Sequence, residues 1–184
     1  MFEQYELIKC IGRGANAEVF LVKYKRLEQL RAMKRIHKNL VKYNQWTKEI
    51  YILKHLKHPC IPIIYDIEED ETYYYIFEEY MEGESLVTYR RRYENLSEST
   101  IISFSIQICE LIEYLHSREY PILYLDLKPS NLLIEGEQIK LVDFGAAKIV
   151  SRDSKEESYG TKGYAAPEQY KVGETSIATD IYGI

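Results

Sequence analysis

From Tyr5 to Ile36 the chain carries three short strand-like runs, YELIKCIG, EVFLVKY and LRAMKRI, parted by glycine-rich or charged turns. Apolar positions in such runs lay one face of a strand on a core and leave the other to water, so three strands are predicted. Between Trp46 and Leu56 the period lengthens, with Trp46, Ile50 and Leu53 at i, i+4 and i+7, one stripe of a helix. Pro59 and Pro62 in HPCIP stop it. PIIYDIEEDETYYYIFEEY then reads as a hairpin, two apolar strands about the acidic turn Glu68 to Glu71.

After Gly83 the character changes. A long helix is predicted from about Glu98 to His116, with Ile101, Phe104, Ile108, Leu111 and Leu115 on one side and Ser97 as its cap. Leu132–Ile134 and Ile139–Val142 form a second hairpin around EGEQ, centred between Gly136 and Glu137. The expected class is α+β, an antiparallel sheet with one helix over residues 1–80 and a mainly helical part over 81–184, the boundary near Glu79 to Gly83.

Composition narrows the function. Of 184 residues 46% are hydrophobic and 29% charged, as in an ordinary globular protein. A net charge of -5 argues against a nucleic-acid partner, which needs clustered Lys and Arg, and YRRRY (Tyr89 to Tyr93) reads as a solvated helix face. Cys10, Cys60 and Cys109 are odd in number and widely spaced in apolar company, which predicts buried thiols in a reducing compartment. The first residues lack a basic start before an apolar run, and no segment reaches the ~18 apolar residues of a membrane span. A cytoplasmic protein is expected. The eighteen tyrosines have no explanation at this level.

Candidate chemistry lies in a few spots. Gly12 and Gly14 in IGRGANAEVF fall between two strands, either as a plain hairpin turn or as a loop whose N–H groups approach a phosphate, with Ala17 where a third glycine would stand. Lys34 ends RAMK in the third strand, where it either snorkels to solvent or meets Glu49 on the following helix. The second hairpin brings Asn131 opposite Val142 and beside Asp143. A carboxamide oxygen and a carboxylate there suit Mg²⁺, although Asp143 could equally cap the turn DFG. Asp126, five residues before Asn131, can accept a hydrogen bond from a hydroxyl nucleophile, and Lys128 can neutralise a transferring phosphoryl group.

Taken in order, the Gly-rich loop (Gly12, Gly14, Ala17, Val19), RAMK, KPSN after Asp126, DFG and APE resemble the protein kinase family over essentially the whole chain. The resemblance implies a two-lobed fold, ATP and Mg²⁺ as cofactors, and a protein substrate. By it Lys34 holds the α- and β-phosphates and pairs with Glu49, Asn131 and Asp143 hold Mg²⁺, and Asp126 positions the acceptor hydroxyl. Adenine would lie between Ile11, Val19 and Ala32 above and Leu133 below, with backbone hydrogen bonds from the Glu79 to Met81 linker. Ser85 matches the ribose contact, and Glu78 the position behind the adenine, where an apolar residue is usual. GTKGYAAPE looks like the segment that receives a peptide. Lys128 and Thr161 resemble the serine/threonine-specific branch, and the wording of GTKGYAAPEQY that of bacterial members.

Two departures stand out. The family's His-Arg before the catalytic Asp is Tyr124-Leu125 here, and a leucine cannot clamp a phosphate by bidentate hydrogen bonds. Phosphorylation at Ser151, Ser154 or Ser158 is therefore not expected to be the switch to activity. The sequence also runs out at TDIYGI, where a kinase normally continues for roughly 70 to 100 residues, within the ordinary range of domain size. Asp180 matches the aspartate that binds the catalytic-loop backbone, while Glu168 is expected to lack a partner. Apolar faces on the Ile101 to Leu115 helix, each residue worth about 1.5–3 kcal/mol of burial, then predict a homodimer or a protein partner. The competing function is a truncated, catalytically feeble nucleotide-binding pseudokinase or scaffold that acts through protein–protein interaction.

Overall fold

The computed structural model describes residues 2–150, 160–171 and 175–184. Ser151, Ser154 and Ser158 lie outside the described residues. The chain forms two compact units, residues 1–81 and 82–184.

In the first unit the alternating runs become β1 (Tyr5–Arg13), β2 (Ala17–Tyr24) and β3 (Gln29–His37), followed by α1 (Tyr43–His55), β4 (Ile64–Glu69) and β5 (Tyr73–Glu79). They make an antiparallel sheet in the order β1-β2-β3-β5-β4. Each face has its own core. Tyr5, Phe20, Val22, Met33, Tyr75 and Phe77 pack on one side, with Phe2, Tyr24 and Tyr73 against them. On the other side Ile36, Trp46, Tyr74 and Ile76 pack together, which seats α1. Tyr73, Tyr74 and Tyr75 feed both faces in turn, and rings stack between elements, Tyr5 of β1 on Phe77 of β5 at 4.0 Å and Trp46 of α1 on Tyr74 of β5 at 4.4 Å. Arg31 lies over the rings of Tyr24 and Tyr65 at 4.1 and 4.3 Å. Part of the tyrosine excess is thus a lattice of rings with an apolar body and a polar rim. The β4–β5 turn is held by Asp70, whose Oδ1 accepts from the N–H groups of Thr72 and Tyr73.

The stripe of α1 differs from the expected one. Trp46, Glu49, Ile52 and Leu53 are buried, whereas Ile50 is only half-buried. A charged residue takes the place of an apolar one because its carboxylate finds an ammonium partner in β3.

The second unit holds β6 (Glu84–Ser85), α2 (Leu86–Arg92), α3 (Glu98–His116), β7 (Ile122–Leu123), β8 (Leu132–Glu135), β9 (Gln138–Leu141), β10 (Lys148–Ile149) and α4 (Ile177–Tyr182). β6, β8 and β9 form one sheet, and β7 pairs with β10. The β8–β9 register, Leu132↔Leu141 through Glu135↔Gln138, has the centre read from the sequence. Gln107 of α3 pins this hairpin, donating to the Glu137 carbonyl and accepting from the Ile139 N–H, both at 2.9 Å. Ser97 caps α3, its Oγ accepting from the Thr100 N–H at 3.1 Å. The helix buries Phe104, Leu111, Ile112 and Leu115 and leaves Ile101 exposed, which corrects the predicted stripe. Arg90, Arg91 and Arg92 end α2 in solvent.

The cysteines are also corrected: Cys10 and Cys109 are exposed and Cys60 half-buried. Cys10 lies on β1, an edge strand exposed from Glu6 to Ile11, and Cys109 on the open side of α3. No helix among the described residues is long and apolar enough to cross a membrane.

Candidate active site

Strand register assembles the candidate residues of the first unit. Val19 pairs with Gly12 on one side and Lys34 on the other, and Lys34 with Ile76. Directly opposed residues share a face, so Gly12, Val19 and Lys34 line one row across the sheet. Ala32, two residues from Lys34, opens the next row on that face, opposite Leu21 and Glu78. Lys34 is buried at 5% exposure, which removes the snorkelling alternative. Its Nζ lies 2.5 Å from Oε1 of Glu49, itself 4% exposed. A buried ammonium held this way has a fixed direction, since the carboxylate partner compensates its burial. Ile11 sits exposed at the β1 bulge. Glu79 donates its N–H to the Ile63 carbonyl at 2.8 Å, and the Met81 side chain is buried.

The second unit gathers the rest around Asp126. Its Oδ2 accepts from Lys128 Nζ at 2.6 Å and Asn131 Nδ2 at 3.0 Å, and its Oδ1 from the Thr161 hydroxyl at 2.6 Å. Lys128 Nζ also donates to Thr161 Oγ1 at 2.7 Å. Two acceptors of Asp126, its main-chain carbonyl and Oδ2, take both bonds from Asn131 Nδ2, which turns the amide nitrogen to Asp126 and leaves the side-chain carbonyl oxygen as the end these bonds do not use. The backbone N–H of Val142 donates to the main-chain carbonyl of Asn131 at 3.0 Å, so the neighbouring Asp143 stands beside Asn131 as the hairpin spacing predicts. Asp143 has φ 67°, and its Oδ1 accepts from the Gly145 N–H at 3.3 Å, so the turn-capping role is present too. Ser85 caps α2, accepting from the Thr88 N–H at 3.2 Å, and pairs in register with Leu133.

The loop before Asp126 is tied from several sides. Asp180, 2% exposed, accepts from the N–H groups of Tyr124 at 2.8 Å and Leu125 at 2.7 Å and pairs with His116 Nε2 at 2.8 Å. Tyr124 fills the position of the usual histidine, its hydroxyl donating to the Val142 carbonyl at 2.6 Å and its ring edge-on to Phe144. Burial, reinforced by the Asp143 charge, raises its pKa well above the usual phenol value, which keeps the donor proton in place. Leu125, 3% exposed, has a left-handed backbone with φ 64°.

Glu168 was expected to stand alone and does not: the Thr179 hydroxyl donates to its Oε1 at 2.8 Å. That bond and one from its own backbone N–H, the larger cause, lower its carboxyl pKa. Sequence reasoning also passed over His116, Thr179 and Gln169. A histidine 64 residues from its aspartate carries no local signal.

The family model for the protein kinase domain matches residues 5–184. Serine/threonine-protein kinase RUNKEL of Arabidopsis thaliana is 33% identical over 98% of this chain and 13% of its own length. A probable serine/threonine-protein kinase of Dictyostelium discoideum is 33% identical over 90% of the chain and 33% of its own length. Probable serine/threonine-protein kinase PknB of Lactococcus lactis is 30% identical over 99% and 30%. The chain spans a third or less of each of these relatives.

Proposed function

The chain belongs to the protein kinase family, and on that premise we propose that it transfers the γ-phosphoryl group of ATP to the hydroxyl of a serine or threonine in a protein. The observation that carries this reading is the group formed by Asp126, Lys128 and Thr161. A hydroxyl there donates to the carboxylate at 2.6 Å and accepts from the ammonium at 2.7 Å. That is the pose an acceptor hydroxyl needs.

In the proposed reaction the acceptor oxygen attacks γ-phosphorus while the bond to the β,γ-bridging oxygen breaks. ADP leaves, and the hydroxyl proton passes to Asp126 and on to solvent. Lys128 balances charge on the moving phosphoryl group, and Lys34, aimed by Glu49, balances charge on the α- and β-phosphates. Ile11, Val19, Ala32 and Leu133 would enclose adenine, the Glu79 to Met81 backbone would bond its edge, and Ser85 the ribose. Gly12 and Gly14 fit a phosphate loop. Neither has a positive φ, and a Cβ on either would meet its nearest neighbour at an ordinary 3.6–3.7 Å. The Gly14 N–H is already given to the Ala17 carbonyl at 2.8 Å, so the missing Cβ atoms rather than that N–H are what would let a phosphate come close to the turn.

Among the described residues no cluster of three or more His, Cys, Asp or Glu side chains could hold a metal alone. Magnesium takes one or two protein oxygens with phosphate and water, and the Asn131 carbonyl oxygen and the Asp143 carboxylate are a donor set of that kind. When bound, it would offset phosphate charge. Transfer of label from [γ-³²P]ATP to a mixed serine/threonine peptide pool tests the proposal, with Asp143→Asn and Asp126→Asn as controls. The parent should label peptide and the controls should not; parent and controls alike at background would leave the scaffold reading.

A further inference from the structure

Gln169 lies in a short 3₁₀ turn, Pro167–Tyr170, and is 6% exposed. Both ends of its amide are used. Nε2 donates to the Leu125 carbonyl at 2.8 Å, and Oε1 accepts from the Ala166 N–H at 2.9 Å. Leu125 directly precedes Asp126 and has the left-handed backbone that a leucine side chain disfavours. Asp180 already holds its N–H. The Leu125 main chain is therefore gripped on both sides of its Cα, N–H by Asp180 and C=O by Gln169, which keeps a disfavoured conformation in place.

The same amide touches the segment that carries Thr161. A Cβ at Gly160 would stand 2.6 Å from Gln169 Nε2 and 2.7 Å from the Ala165 Cβ, so only glycine lets the chain pass. One residue on, the Thr161 hydroxyl donates to Asp126. The cavity among Leu125, Asp126, Thr161 and Gln169 measures about 10 Å³, at most one water. Solvent cannot replace the amide unless the side chain is shortened.

We infer that Gln169 is a positioning residue that locks the peptide-receiving segment to the loop bearing Asp126, by clamping the Leu125 carbonyl while fixing the path of Gly160 and Thr161. The inference rests on the kinase reading for its catalytic consequence. Loss of the clamp lets the Leu125 peptide relax and turns the Asp126 carboxylate away from the acceptor hydroxyl. Nucleotide affinity has no reason to change.

The test uses Gln169→Met, which keeps length and apolar volume, and Gln169→Glu, which keeps the acceptor but opposes a carboxylate to the Leu125 carbonyl. Gln169→Met should lower kcat for peptide by about tenfold to a hundredfold, with the KM for ATP within about twofold of the parent. Hydrogen exchange should speed up at residues 123–127 and 160–165 and stay unchanged on α3. Gln169→Glu should show a deficit that narrows relative to the parent as pH falls, because a protonated carboxyl can again donate to the carbonyl. An unchanged kcat with unchanged exchange overturns the inference, as does a Gln169→Glu deficit flat with pH. A parent without any phosphoryl transfer refutes the kinase reading instead, and the exchange comparison then decides the clamp by itself.

Discussion

Asp180→Asn is the sharpest perturbation the second unit offers. The carboxylate is buried and meets the Tyr124 N–H, the Leu125 N–H and His116 Nε2, all within 2.8 Å. Asparagine keeps one carbonyl oxygen and turns an NH₂ toward the donors that remain. A bond to a charged acceptor contributes about 1.5–3 kcal/mol, and a buried N–H without a partner costs about 1–3 kcal/mol. With at least one backbone N–H orphaned, unfolding free energy should fall by about 2–4 kcal/mol. At a urea slope of about 2 kcal/mol/M the midpoint moves down by about 1–2 M. Far-UV circular dichroism follows the loss, and amide exchange by NMR at Tyr124 and Leu125 locates it. The single tryptophan, Trp46, lies in the first unit and serves as an internal reference. A midpoint within about 0.2 M of the parent, with both amides still protected, would refute the claim that this carboxylate holds the loop.

Glu49→Gln leaves the Lys34 ammonium buried without its carboxylate, and up to about 3–5 kcal/mol of stability should be lost; Trp46 fluorescence during thermal unfolding reads it, and an unshifted transition contradicts the pairing. Thr161→Ser should retain peptide phosphorylation within a few-fold, whereas Thr161→Val should lower kcat about tenfold or more, as the hydroxyl between Asp126 and Lys128 disappears. Equal rates for the two variants would show that the hydroxyl is not used. Tyr75, whose pKa burial and a hydrogen bond to Asp70 push up to about 12, should give an alkaline limb to stability. Its folded pKa exceeds the unfolded value near 10, so the folded state binds the extra proton; the contribution is complete below about pH 10 and drains away toward about pH 12. Urea midpoints at pH 9 to 12 for the parent and Tyr75→Phe check this, and parallel curves would count against it.

Strands and hairpin register were legible because each leaves a periodic trace, whereas the Lys34–Glu49 pair was one of two open readings that only the family resemblance selected. β8 and β9 are joined by a short turn, so their pairing follows from counting, and Asn131 falls beside Asp143 by that count alone. The face of α3 was harder to read. Ile101, Ile102 and Ile106 are apolar but exposed, so apolar residues wrap more than one side and the period cannot select the buried one. Cysteine is small and apolar enough to sit on an edge strand or in a core, and its neighbours in sequence do not say which. The Gln169 clamp was invisible for another reason: its partner is a main-chain carbonyl 44 residues earlier, which no side-chain pattern records. Leucine, too, gives no hint of a left-handed backbone at position 125.

The two exposed thiols lie one in each compact unit, Cys10 on β1 and Cys109 on α3. A maleimide dye on either would report on its own half of the chain. Cys10 stands two residues before Gly12, so a response of its dye to added ATP tests the proposed nucleotide loop, while a dye on Cys109 follows the helix that braces the β8–β9 hairpin. Native attachment points of this kind allow ligand response to be followed without introducing any foreign residue.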